Sequence, residues 1–369
     1  MAGLYLHIPF CKHACNYCNF YFVTSLAKKE NYVQSLLREI ELSKEYLQGE
    51  TLETIYFGGG TPSLLSQNDL EQIFEQIAKF HHLDLKEVTL EANPDDLSFE
   101  KLKALKETPI NRLSIGVQSF FDADLQFMHR AHTAEEAEMV VKNAQDFGFT
   151  NLTIDLIYGT PHLTNENWLF NLNKAKELGV QHLSCYALTV EPKTKLHRQI
   201  QKREVPKLND EKTSAQFDLL MDFAQENDFQ HYEISNFAQG GYIAQHNSNY
   251  WKGAKYLGLG TAAHSYNGNA RRWNIANINT YISEIGTGKI PFTEEILSET
   301  EVTNEYLMTS LRTMWGCDFS RLNPLHISQI SESLKTINPA FYTFTNGTLI
   351  LTRNGKHFAD YIASELFIV

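Results

Sequence analysis

Short apolar runs of β type alternate with amphipathic stretches from the start of the chain to about residue 190, and this alternation limits the fold more than any other feature. Leu4–Ile8 reads as a strand, and Lys29–Gln48 as a helix with Val33, Leu36, Leu37 and Ile40 on one stripe. Strand Thr54–Phe57 precedes a helix opened by Ser66, with Asp69 in the capping-box position. Strand Glu87–Glu91 precedes helix Ser98–Glu107. Strand Arg112–Val117 precedes a helix opened by Thr133, boxed by Glu136 and closed by Gly148. Strand Leu152–Ile157, helix Asn165–Leu178 and strand His182–Ala187 complete the series. Repeated β-then-α units require a parallel sheet with helices on its outer side. Six such strands predict an α/β fold built on a partial (β/α)6 barrel over residues 1–200.

Two further regions follow. Residues 201–295 open with a polar, charged connecting segment and then mix helix, aromatic and glycine-rich pieces. Residues 296–369 read as a small, mainly helical module carrying the hairpin TFTNGTLILT, whose Asn346-Gly347 is a strong turn signal. The formal net charge of -12, with no basic stripe, argues against a nucleic-acid partner. No apolar run reaches bilayer-spanning length and the N-terminus lacks a signal-peptide pattern, so no integral membrane segment is expected. The cysteine count is odd, at 5, and three of them crowd one loop. That usage fits metal ligation in a reducing compartment, the cytoplasm, better than disulfides.

The chemistry concentrates in Cys11-x-x-x-Cys15-x-x-Cys18, directly after the first strand. Three thiolates so close can wrap one metal centre. A zinc site would need a fourth ligand, which His7 or His13 could supply. A four-iron cluster on three cysteines instead leaves one iron open to a small chelating ligand. Functional groups of a parallel barrel gather at the C-terminal ends of its strands, and here each end carries something polar. The second strand runs into Gly58-Gly59-Gly60-Thr61-Pro62, where bare backbone can approach a ligand. The third ends at Glu91, the fourth at Gln118, and the fifth carries Asp155. Gly258-Leu-Gly260-Thr lacks the context of a dinucleotide fingerprint and reads as a packed turn, while Cys185, Cys317 and His264 read as structural.

HIPFCKHACNYC, FGGGTPS, EANP, RLSIGVQSF and IDLIYGTP, in this order, resemble the radical-SAM family around the oxygen-independent coproporphyrinogen III dehydrogenase HemN and the haem chaperone HemW. The resemblance runs from about residue 4 to the C-terminus and implies an open (β/α)6 barrel with a winged-helix-like C-terminal module. It implies that Cys11, Cys15 and Cys18 hold a [4Fe–4S] cluster and that S-adenosylmethionine (SAM) chelates the open iron, lined by Gly59, Gly60 and Thr61. By the same resemblance Tyr5 sits near cluster and SAM, and Glu91, Gln118, Arg130 and Asp155 contact SAM.

Two departures separate the chain from the dehydrogenase. A further cysteine two residues after the third cluster cysteine is replaced by Phe20, and Cys11 stands almost at the start, without the dehydrogenase's N-terminal extension. Both match the haem-chaperone branch. So does His246-Asn-Ser-Asn-Tyr250-Trp251, the branch's HNxxYW motif, in which His246 is linked to haem. Imidazole is a common axial ligand of haem iron, and Tyr250 and Trp251 could pack on a porphyrin face. The neighbouring Tyr232, Glu233, Asn236 and Phe237 are read as shaping the region rather than touching haem. The expectation is a haem carrier for respiratory-chain or other haem proteins, served by an electron donor and meeting membranes only peripherally, through a recipient. Oxidative decarboxylation of coproporphyrinogen III is the alternative, and a zinc-stabilised binding module the remotest.

Overall fold

The structure is a computed structural model and describes residues 2–369. The alternation is present in order: β1 (Ala2–Ile8), α1 (Lys29–Leu42), β2 (Leu52–Gly59), α2 (Gln67–Phe80), β3 (Leu83–Ala92), α3 (Phe99–Lys106), β4 (Arg112–Gln118), α4 (Asp122–Phe127), α5 (Ala134–Asp146), β5 (Asn151–Tyr158), α6 (Asn165–Glu177) and β6 (His182–Ala187). Strands β1 to β6 pair parallel with their sequence neighbours. Ser66 and Thr133 close true capping boxes with Asp69 and Glu136.

Helix α1 stops at Leu42, short of the expected Gln48. Gln48 and Gly49 adopt φ of 53° and 79° and turn the chain back toward β2. Leu47 is still buried, so the residue that extends the apolar stripe packs from a turn instead of a helix.

The sheet does not close on itself. After α7 (Lys195–Gln201) and α8 (Asp210–Glu226), β7 (Gln230–Glu233) and β8 (Asn236–Ala238) extend the β6 edge antiparallel. Helix α9 (Gln245–Trp251) leads to β9 (Lys255–Leu259), which lies parallel to β1. Strands β10 (His264–Tyr266), β11 (Ala270–Asn274) and, after α10 (Ile278–Gly286), β12 (Phe292–Ile296) continue that edge antiparallel. The six expected strands are thus the middle of a 12-stranded sheet, and the aromatic, glycine-rich segment supplies both flanks. Gly258 and Gly260 are packing glycines: a Cβ would stand 2.0 Å from the His264 carbonyl oxygen at one and 2.3 Å from Tyr32 Oη at the other.

A parallel sheet covered on both faces carries near-continuous apolar strands. These strands alternate instead. One face carries Leu4, Leu6, Ile8, Ile55, Phe57, Val88, Leu90, Leu113, Ile115, Leu152, Ile154 and Leu183, all buried in the main core. In the paired registers the other face carries Tyr5 beside Tyr56, Glu91 beside Ser114, Thr153 beside His182 and Asp155 beside Ser184. The second face is a polar lumen.

The C-terminal segment has its own apolar cluster, built on Leu307, Leu311, Ile330, Leu349, Ile362 and Leu366. Its elements are α11 (Glu299–Ser310), β13 (Cys317–Asp318), α12 (Pro324–Leu334), β14 (Tyr342–Thr345), β15 (Thr348–Leu351), α13 (Arg353–Lys356) and α14 (Ala359–Glu365), with sheet order β13-β15-β14. Asn346 and Gly347, at φ of 53° and 79°, make the two-residue hairpin turn read from the sequence.

Candidate metal and cofactor site

The cysteine loop leaves the C-terminal end of β1, and all three thiols are half-buried. Val23 N–H donates to the Pro9 carbonyl (2.7 Å) and Cys11 N–H to the Val23 carbonyl (3.0 Å), pinning the loop's two stems together. Thr61 Oγ1 donates toward Cys11 Sγ at 3.5 Å, and an Arg130 Nη toward Cys15 Sγ at 3.4 Å. Asn93 ties these donors together: its amide nitrogen donates to Thr61 Oγ1 (3.2 Å) and its amide oxygen accepts from Arg130. Arg130 also donates to the Gly116 carbonyl (2.8 Å), while its Nε is buried with no hydrogen-bond partner among the described residues. Burial raises the Cys11 thiol above its ordinary value and pushes Cys18 up to about 11. Thiols so placed are inert unless a cation takes the proton's place.

Among the described residues, no three His, Cys, Asp or Glu side chains close around one point at single-ion distance. The fit of the site to an iron–sulfur cluster rests instead on donor chemistry: three thiols on one loop, two hydrogen-bond donors aimed at the sulfurs, and an orphaned guanidinium nitrogen beside them. His7 is committed elsewhere, with Nδ1 3.2 Å from Tyr5 Oη and Nε2 2.9 Å from the Tyr21 carbonyl oxygen. Burial lowers its pKa to about 4, so the ring is neutral and its two contacts clamp the loop.

The glycine turn passes beside the cysteine loop. Gly59 has φ +105°, and a Cβ there would lie 2.5 Å from the His7 ring; at Gly60 it would lie 2.7 Å from the Ile8 carbonyl oxygen. These glycines are therefore needed by the protein's own packing as well as by ligand approach. Glu91 accepts from Tyr56 Oη (2.7 Å) and Gly59 N (3.2 Å), and Asp155 accepts from Ser114 Oγ (3.3 Å). Burial raises Glu91 to about 7 and Asp155 to about 6. Gln118 stands at φ 67°, a costly conformation for a non-glycine residue, after an irregularity in the β4–β5 register. Cys11 and Thr61 are thus joined through Asn93 to Arg130, Cys15 and Gly116, and Tyr5, Tyr56, Gly58, Gly59 and Glu91 form a second group.

His246 sits elsewhere. It lies near the N-terminal ends of the strands, 1% exposed, packed against Gly3 and Thr54. Nδ1 is 2.8 Å from Thr54 Oγ1 and Nε2 is 2.7 Å from Tyr250 Oη, so both ring nitrogens are taken. Its ring stacks on Tyr56 (centroids 5.1 Å apart), and burial lowers its pKa to about 3. Glu87 receives the Gln245 and His246 N–H groups at 2.8 and 2.9 Å and anchors α9 in the lumen floor. The imidazole read from the sequence as a haem ligand is held inside the sheet in this arrangement. Tyr232 and Glu233 are structural: Tyr232 hydrogen-bonds His182 (2.6 Å) and Glu233 pairs with Arg312.

Tyr56, Asn93 and Ser114 touch these candidate residues but were not singled out, although Asn93 lies inside the EANP segment and Ser114 inside RLSIGVQSF. Their signal is parity: Thr54, Tyr56 and Gly58 alternate on one strand, as do Arg112, Ser114 and Gly116 on another.

The pattern described as the Radical SAM superfamily matches residues 5–175. The heme chaperone HemW of Bacillus subtilis is 36% identical over 319 residues, covering 85% of this chain and 84% of its own. The heme chaperone HemW of Mycobacterium tuberculosis H37Rv is 30% identical over 370 residues, covering 99% of this chain and 94% of its own. The solved structure of the coproporphyrinogen III oxidase HemN from Escherichia coli, described as a radical SAM enzyme, superposes with a TM-score of 0.84 at 21% identity. It covers 99% of this chain and 90% of that one. That likeness shows the fold.

Proposed function

The chain belongs to the HemW family of the radical SAM superfamily, and on that premise we propose that it binds haem and delivers it to haem-requiring proteins, those of the respiratory chain among them. The observation that carries this reading is the identity to heme chaperones along nearly the whole chain. Phe20, 68% exposed beside the cysteine loop, adds to it, since it stands where the dehydrogenase has a cysteine.

The family implies a [4Fe–4S] cluster and SAM. We assign the cluster to Cys11, Cys15 and Cys18, and SAM to Tyr5, Gly59, Gly60, Thr61, Glu91, Gln118, Arg130 and Asp155. A cluster held by these cysteines would supply a low-potential electron for reductive chemistry on SAM. The chain's own part follows from its contacts. Thr61 and Arg130 donate toward the sulfurs of Cys11 and Cys15, contacts that would raise the potential of a cluster held there. Glu91 and Asp155, poised near neutrality, offer carboxyl groups to ribose hydroxyls or an amine. In the polar lumen Tyr5 stacks on Tyr56, which fixes both rings beside Glu91.

No helix of the described residues is long and apolar enough to cross a membrane. We propose a cytoplasmic carrier that meets membranes through its recipients and draws electrons from a separate donor. The test is a haem titration of anaerobically reconstituted protein. Saturable binding near one haem per chain is expected, and absence of binding would sink the proposal.

A further inference from the structure

The cavity that adjoins the HNxxYW helix lies between the sheet extension and the C-terminal module and has a volume of about 580 Å³. That is within the range of ligand sites, roughly 300–1,000 Å³. Tyr250, Tyr266 and Tyr306 give it aromatic walls and Leu322 an apolar floor. Its two arginines differ. Arg271 is spent on Glu305 (Nη to Oε 2.7 Å) and on Tyr256 Oη (2.9 Å). Arg321 lies over the Tyr306 ring at 4.4 Å and donates to the Lys252 carbonyl (3.2 Å); the Asp318 carboxyl feels its charge, but among the described residues Arg321 forms no ion pair. The opposing acid at the mouth, Glu299, accepts from the Asn323 amide at 2.7 Å. Aromatic walls with an unpaired guanidinium at the rim suit a broad apolar plane edged by a carboxylate.

The motif meets this cavity through Tyr250. His246 reaches it only by its 2.7 Å hydrogen bond to Tyr250 Oη, because its other nitrogen is held by Thr54. We infer that this cavity is the site of a planar tetrapyrrole dicarboxylate, that Arg321 binds one of its carboxylates, and that His246 is a positioning residue that sets Tyr250. This rests on the haem-carrier reading and names its site.

The test uses the full chain, with haemin and metal-free protoporphyrin IX titrated in parallel into wild type, Arg321→Gln and His246→Gln. Arg321 is exposed on a 3-10 turn, so its variant keeps the fold. Arg321→Gln is expected to weaken both ligands about tenfold or more, the loss of a charge-assisted hydrogen bond. His246→Gln is expected to weaken both alike. Wild-type affinity in Arg321→Gln would overturn the site. Selective loss of haemin in His246→Gln, with protoporphyrin retained, would make the imidazole an iron ligand and overturn its positioning role. If wild type binds haemin while Arg321→Gln binds it equally well, only the cavity assignment fails. If wild type binds neither ligand, the carrier reading fails with it.

Discussion

Glu91 carries the sharpest residue-scale consequence. Desolvation favours its neutral form in the folded chain, raising it to about 7, and Asp155 follows in the same direction to about 6. A carboxyl whose pKa rises on folding stabilises the fold at low pH, and that stabilisation is lost as pH climbs from the unfolded value, about 4.3, through the folded one. For Glu91 the loss is roughly 3–4 kcal/mol. Urea denaturation of the cluster-free protein between about pH 5 and pH 8 should show stability falling as pH rises. Glu91→Gln should be more stable than wild type at the upper end, with a flatter profile. A profile parallel to wild type would contradict the burial of this carboxyl. Glu91 itself was legible as a strand-end acid, whereas its raised pKa was not, because burial by the folded sheet and the charge of Asp155 on another strand raise it against the hydrogen bonds from Tyr56 and Gly59.

At the scale of elements, the six parallel strands and their helices are legible because periodicity and capping boxes are local signals. The two flanks of the sheet are not. Strands β7 to β12 are short, at 3–5 residues, and exist through pairing partners distant in sequence, as β9 does through β1. Helix α9 shows the same limit. Its motif is plain in the sequence, but its burial follows from Glu87 and Thr54 on other strands. The imidazole then links a continuous column, in which Tyr5 stacks on Tyr56, Tyr56 on His246, and His246 meets the edge of Tyr250. His246→Ala removes two buried hydrogen bonds and a stacking partner, and leaves two hydroxyls without partners. A destabilisation of about 3 kcal/mol is expected in chemical denaturation. A change below about 1 kcal/mol, the size of a single cap, would show that α9 is not held by this residue.

For the whole molecule, the sheet's two faces explain how one chain could carry the two sites proposed for it. Its apolar face packs under the helices as the main core. Its polar face offers the cysteine loop and Glu91 at one end and the α9 floor at the other, with the C-terminal module packed beyond that floor. The fold is shared with the dehydrogenase HemN, so fold alone does not choose between carrier and decarboxylase. The most direct measurement gives the reconstituted, haem-loaded protein an apo-haemoprotein acceptor, and in a parallel anaerobic reaction gives the same protein coproporphyrinogen III with SAM and a reductant. Haem passing to the acceptor, with coproporphyrinogen recovered unchanged, is the predicted result. Protoporphyrinogen IX accumulating over many turnovers, with no haem passing to the acceptor, would contradict the carrier and restore the enzyme.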